Sequence, residues 1–404
     1  MTLVRIKTGR PATRSGQVTP AGRPPVQRRL LVALLRATAS TTRSGWRSSL
    51  YAALVYCLTT TAALQVTVSL FKQGLGLRKA GAGYMTTMTH TYFFGMMPLI
   101  AWTSLTVTFV YGGRRYERVL TELDKMPDIP PELPKTTAAA RWRNRLSHLD
   151  IWLLVIILPF TTLCGSAVAI VRQCHPFVPM CLLSIVVTVQ RELFFMLPFL
   201  LVPAKFMWAA RRLRSRSDAV NVALESLVNS RPSDAAARLE LLGRAQSRIS
   251  ACLTRLTDGM AAELVPTMLY GVSALVVLIM RVTAKGAEDL VSLVLPYSCS
   301  AWVTLAGPCE ASQQLVSAAG RRWALLLSLE RRHPALAAEA GLQREEAGRQ
   351  LETVGELGLF RLRRSTLLSL ISTVLTYVIV MAQFLVSETP VDAVTANVTH
   401  SGDK

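Results

Sequence analysis

The chain has 404 residues, 51% of them hydrophobic, and a formal net charge of +20 set by 45 Lys and Arg against 25 Asp and Glu. With a mean hydropathy of +0.34, apolar and basic residues must be kept apart, which a membrane protein does by placing apolar runs in the bilayer and Lys and Arg in its cytoplasmic loops. Nucleic-acid binding would need the basic residues gathered on a folded polar domain. Here they lie between runs too apolar to stay in water, so nucleic acid is excluded as a partner.

Residues 1–48 hold ten Lys and Arg, no Asp or Glu, and much Pro, Gly, Ser and Thr. That composition predicts a disordered basic tail. Its lack of acidic residues imitates an organelle transit peptide, but no cleavable apolar core precedes the first long run, which is expected to act as its own uncleaved signal. A helix needs about 20 apolar residues to cross a bilayer. Runs of that kind predict spans at Ser49–Phe71, His90–Tyr111, Ile151–Val171, Phe177–Val202, Leu264–Met280, Leu290–Pro308 and Ser365–Ser387, the fifth and sixth being the shortest. The expected fold is therefore all-α, with a seven-helix transmembrane domain over residues 49–387 and a tail over 388–404.

Orientation follows from charge. The basic tail and the alternate loops 112–150, 203–263 and 309–364 hold most of the Lys and Arg, which predicts a cytoplasmic N-terminus and, with seven spans, an extracellular C-terminus. The one glycosylation sequon, Asn397-Val398-Thr399, falls in that outer tail, as this topology requires. Within the loops, Leu224, Leu227, Leu239, Leu242, Leu325, Leu326 and Leu329 lie near helical spacing. They predict cytoplasmic helical extensions that pack on one another or on a neighbouring subunit and form an anchor region.

No catalytic arrangement emerges. The five His are dispersed, no GxSxG, HExxH or P-loop is present, and the seven Cys include no CxxC pair, so neither an enzyme, nor a metal or cofactor site, nor a disulfide scaffold is indicated. Cys174 and Cys181 can pair at most. Arg191 and Glu192, midway along the fourth run, are costly intramembrane charges. As helix neighbours they do not face each other, and either a functional role or a wet inner vestibule accounts for them.

The last run carries the sharpest pattern. Ser365, Ser369, Ser372, Thr376, Gln383 and Ser387 recur in steps of three, four or seven, and Val380 fills the same register between Thr376 and Gln383. One polar stripe on an apolar helix suits the wall of a water-filled path with an apolar constriction. It also suits close packing between membrane helices, where Ser and Thr serve as polar contacts.

Thr376-Tyr377-Val378-Ile379-Val380-Met381-Ala382-Gln383-Phe384 resembles the Thr-Tyr, five apolar residues, Gln-Phe signature at the end of the insect-type gustatory receptors, and Gly358-Leu359-Phe360-Arg361-Leu362 looks like that family's lead-in. The motif covers only residues 358–384; the span number and orientation extend the likeness to the whole chain. The resemblance implies a tetrameric, non-selective cation channel opened by a small-molecule tastant in the plasma membrane of chemosensory neurons, with the last helix of each subunit lining the pore.

It carries the gate to Gln383 and Phe384, with Val380 and Thr376 as the next pore candidates one and two turns deeper and Tyr377 packed against a neighbouring helix. Glu388 and Asp392 would form acidic rings at the outer mouth that concentrate cations. Tyr92, Phe93, Tyr297 and Trp302, with His90 and Tyr270 nearby, are the aromatics placed where that family binds ligand, although an interfacial aromatic belt would also use them. The alternatives are a G-protein-coupled seven-helix receptor and a secondary transporter. The first expects an outside N-terminus, an acidic-Arg-Tyr triplet and an Asn-Pro-x-x-Tyr, and the second expects broken helices with paired charges in both halves. The sequence shows neither set.

Overall fold

The structure is a computed structural model that describes residues 46–79, 95–126, 195–228, 235–284, 300–358 and 361–388, with isolated positions at 33, 35–36, 186, 189–190 and 298. The third expected span, the start of the fourth, Arg191, Glu192, Cys174, Cys181 and the outer tail with Asn397 lie outside the described residues.

Every described element is helical apart from one isolated bridge between Glu356 and Arg361. In chain order they are α1 (Trp46–Lys79), α2 (Gly95–Val107), a π-helical turn (Thr108–Gly112) leading without a break into α3 (Gly113–Lys125), α4 (Leu197–Val228), α5 (Ala235–Ala284), a second π-helical turn (Trp302–Ala306) leading into α6 (Gly307–Arg332), α7 (Ala337–Thr353) and α8 (Arg364–Glu388). By length and composition, two of them have stretches able to cross a membrane, Ser49–Ser69 and Ala235–Ile279, while Arg364–Val380 in α8 is apolar but shorter.

The helices sort into two regions by what they bury. At one end, the base, Leu213, Leu224 and Leu227 of α4 close on Leu239, Leu242 and Leu256 of α5, Leu326 and Leu329 of α6, and Ala340 and Ala347 of α7. Leu224, Leu227, Leu239, Leu242, Leu326 and Leu329 are among the leucines whose spacing predicts helical extensions, Leu325 being half-buried beside them, and the reason they form helices is local: Ala, Leu, Arg and Glu dominate and the apolar residues return at every three or four positions. Leu35, within the residues 1–48 expected to form a disordered tail, is instead helical and fully buried in the same cluster. The second region joins α1, α2, α4 and α5 through Ala62, Ala63, Met97, Ala101, Leu105, Phe199, Tyr270 and Val277.

The helices do not stop where the apolar runs stop. The helical extensions expected within residues 203–263 are present as continuations of longer helices: α4 passes through Pro203 and α5 is one helix of 50 residues that includes Pro266. A change from apolar to charged residues alters what surrounds a helix without removing its backbone hydrogen bonds, and an internal proline withdraws only one donor from the ladder.

Candidate functional site

The feature singled out by sequence, α8, is held at its base and bare along its length. The chain enters it through a tight connection. Gly355 has a φ of +78°, and a Cβ there would lie 2.3 Å from Ser312 Oγ and 3.2 Å from the Leu362 carbonyl, so only glycine fits. The Leu362 amide donates to the Gly355 carbonyl at 2.7 Å, and the Arg363 guanidinium donates to the Leu351 carbonyl at 2.6 Å.

Arg364, the first residue of α8, then grips Glu310 in the first turn of α6 as a two-pronged fork, Nε to Oε2 and Nη2 to Oε1, both at 2.8 Å. Gln314 donates to the same carboxylate at 2.9 Å. The hydrogen bonds from Arg364 hold the Glu310 carboxyl below its ordinary pKa, against the opposing pull of partial burial. Replacing Arg364 by Gln is expected to loosen this clamp, read as faster hydrogen exchange over residues 361–368 at neutral pH. In the parent chain, the same loosening is expected only on acidification. A carboxyl whose folded pKa is depressed contributes above its unfolded pKa and loses that contribution as the pH falls through the folded value.

Above the clamp Leu367 and Leu370 pack half-buried on the base cluster, and farther along Val374 and Val378 lie against Val276 of α5, with Val272, Leu275 and Ile279 alongside. The predicted stripe lies elsewhere. Ser365, Ser369, Ser372, Thr376, Val380 and Gln383 are all exposed, as is Tyr377. Thr376 Oγ1 donates to the Ser372 carbonyl at 3.0 Å and Thr373 Oγ1 to the Ser369 carbonyl at 2.9 Å. Their protons are thus turned back onto the helix, and lone pairs face outward. Phe384 and Glu388 belong to α8, whose last residue is Glu388, and Asp392 lies outside the described residues, as do Tyr92, Phe93, Tyr297 and His90.

The remaining aromatics separate. Trp302 begins the second π-helical turn and points outward with 56% of its surface exposed, while the four residues after it, Val303–Ala306, are buried. The wider π turn places this one side chain off the buried register. Tyr270 packs into the upper cluster with its ring 4.6 Å from that of Phe199.

A second polar centre was not anticipated. Lys205 of α4 and Glu263 of α5 form an ion pair, Nζ to Oε2 at 2.7 Å, with both side chains buried. Thr108 Oγ1 donates to the same oxygen at 2.8 Å. Ser104 Oγ reaches the Glu263 carbonyl at 3.0 Å and the Thr267 hydroxyl at 2.9 Å. Tyr116 Oη donates to the Lys205 carbonyl at 3.1 Å, and the ammonium sits 5.5 Å from its ring centre.

Room for Glu263 comes from Gly112, the last residue of the first π turn, where a Cβ would meet Oε1 at 1.9 Å. The π turn, the glycine and the buried charges are one device that joins α2, α3, α4 and α5. Sequence reasoning misses it because Lys205 and Glu263 each lie just beyond an apolar run, the place where a charge is least costly and so least conspicuous.

No protein-family model and no curated sequence matches the chain. Its fold does match solved structures. One is the insect olfactory receptor OR5 from Machilis hrabei, with a TM-score of 0.65 and 14% identity over 88% of this chain and 97% of that one. Another is the same receptor in complex with eugenol, at 0.62 and 13%, over 89% and 98%. At that identity the likeness establishes a shared fold.

Proposed function

We propose that this chain is a subunit of a ligand-gated cation channel, a chemoreceptor of the gustatory kind, in which α8 of each of four subunits lines a common pore. The observation that carries the reading is the outward polar stripe on α8. In one subunit Ser365, Ser369, Ser372, Thr376 and Gln383 are exposed, on a helix whose remaining residues from Leu367 to Phe384 are apolar apart from Thr373 and Tyr377. Such a stripe is a poor surface for lipid and a good wall for water, and the outward lone pairs of Thr376 suit cations. The fold shared with an insect olfactory receptor and the Thr-Tyr…Gln-Phe signature support the same conclusion.

In this reading Gln383 and Phe384 form the gate, Val380 is an apolar constriction one turn deeper, and Thr376 lies beyond it. Tyr377 packs against a neighbouring helix, and Glu388 and Asp392 surround the outer mouth. Tails 1–48 and 388–404 lie inside and outside the plasma membrane of a chemosensory neuron. The ligand is a small molecule, in keeping with the eugenol held by one of the structural neighbours. Tyr92, Phe93 and Tyr297 line its proposed pocket, with Trp302 at an exposed rim.

Gln383→Ala and Phe384→Ala test the gate. Each is expected to change basal current by about tenfold, the effect of roughly 1.4 kcal/mol on a closed–open equilibrium, and to shift the permeability ratio of sodium to potassium. Parental basal current, selectivity and block in both variants would remove these residues from the gate.

A further inference from the structure

We infer that the outer face of α3 binds the phosphate of anionic phospholipids, as a headgroup site at the end of the second span. Three observations converge there. First, the helix is strongly two-sided: Tyr116, Val119, Leu120 and Leu123 are buried in the base, while Arg114, Arg115 and Arg118 are exposed. Second, the residues just before it, Val110 and Tyr111, are more than half exposed, and the Arg115 guanidinium lies 5.8 Å from the centre of the Tyr111 ring. An apolar and aromatic surface thus gives way within one turn to arginine on the same side of the helix, the order in which a bilayer gives way to its headgroups.

Third, none of these three arginines has a carboxylate partner among the described residues. The carboxylate of Glu122, farther along the helix, is taken by Arg255 of α5. Glu117, exposed three residues after Arg114, flanks this face by the same helical spacing, and three arginines against that one carboxylate leave the face net positive.

Positions 111, 114, 115 and 118 are spaced so that consecutive turns place them side by side. Arginine presents a planar fork to phosphate oxygens, and each basic residue at an anionic membrane surface contributes on the order of 1 kcal/mol. The assignment to the cytoplasmic leaflet, where anionic lipids are enriched, rests on the orientation proposed above. The headgroup site itself does not depend on whether the chain conducts.

The test uses the full-length chain in phosphatidylcholine nanodiscs with or without phosphatidylserine, with retained lipid measured by native mass spectrometry and stability by thermal unfolding. Phosphatidylserine is expected to be retained and to raise the unfolding temperature of the parent. The triple variant Arg114→Gln, Arg115→Gln, Arg118→Gln is expected to lose retention by about fivefold per arginine, and the corresponding triple Lys variant to keep most of it. Arg244→Gln, which removes an arginine paired with Glu240 elsewhere on α5, is expected to change nothing. Equal retention by the triple Gln variant and the parent would overturn the proposal. So would an equal thermal shift produced by inorganic phosphate in phosphatidylcholine discs, since the site would then be one for free anions. No current is recorded, so a chain that retains the lipid yet never conducts would overturn the channel reading alone.

Discussion

Glu263→Ala, with Lys205 left in place, is expected to destabilise the chain by about 3–5 kcal/mol, the cost of a buried charge that loses its partner. Both members of the pair are almost fully buried, at 0% and 1% exposure, and the carboxylate is also the acceptor for Thr108. Thermal unfolding in detergent and the amount of chain reaching the cell surface should both register the loss. The second half of the experiment is sharper. Lys205→Met in the Glu263→Ala background is expected to recover most of the stability, because the ammonium is what the low-dielectric interior penalises. Two losses that simply add would show that the charges do not depend on each other and that Glu263 acts only through packing.

Gly355→Ala is expected to cost about 1–2 kcal/mol for the left-handed backbone alone, and more for the contact. The new methyl would lie 2.3 Å from Ser312 Oγ and 3.2 Å from the Leu362 carbonyl, and the second of these is backbone that cannot turn aside. The location gives the prediction its reach, since Leu362 and the Arg364–Glu310 fork follow directly and hold the base of α8. Hydrogen exchange should accelerate across residues 355–368 before it does in α4 or α5. Gly358→Ala is the control: it shares a positive φ, at +83°, but a Cβ there meets nothing within 4 Å. It should show the conformational cost without the clash.

The two glycines illustrate what the sequence could not disclose. Gly358 opens the stretch that resembles a family lead-in and Gly355 precedes it unmarked, and what distinguishes the two is what a side chain would strike, which depends on α6 and Leu362. The same holds for Lys205 and Glu263, 58 residues apart, and for Glu310 and Arg364, 54 apart: each partner alone is an unremarkable charge near the end of an apolar run. Periodicity, by contrast, is local. The leucines of the base and the polar stripe of α8 repeat every three or four residues, and the structure buries the first set and exposes the second. Trp302 enters the proposed pocket through the family likeness alone, and no periodicity gives its side-chain direction; it stands exposed at the start of the π turn Trp302–Ala306.

In the proposed channel, α8 lines a pore that a small molecule opens without an intermediary. The purified chain reconstituted alone in a planar bilayer, screened with small aromatic and sugar-like compounds while current is recorded, addresses it directly. The expected result is a cation-selective current that appears with an active compound, vanishes on its removal and changes conductance when Gln383 is replaced by Ala. A compound that binds the reconstituted chain with measurable affinity yet evokes no current would contradict it.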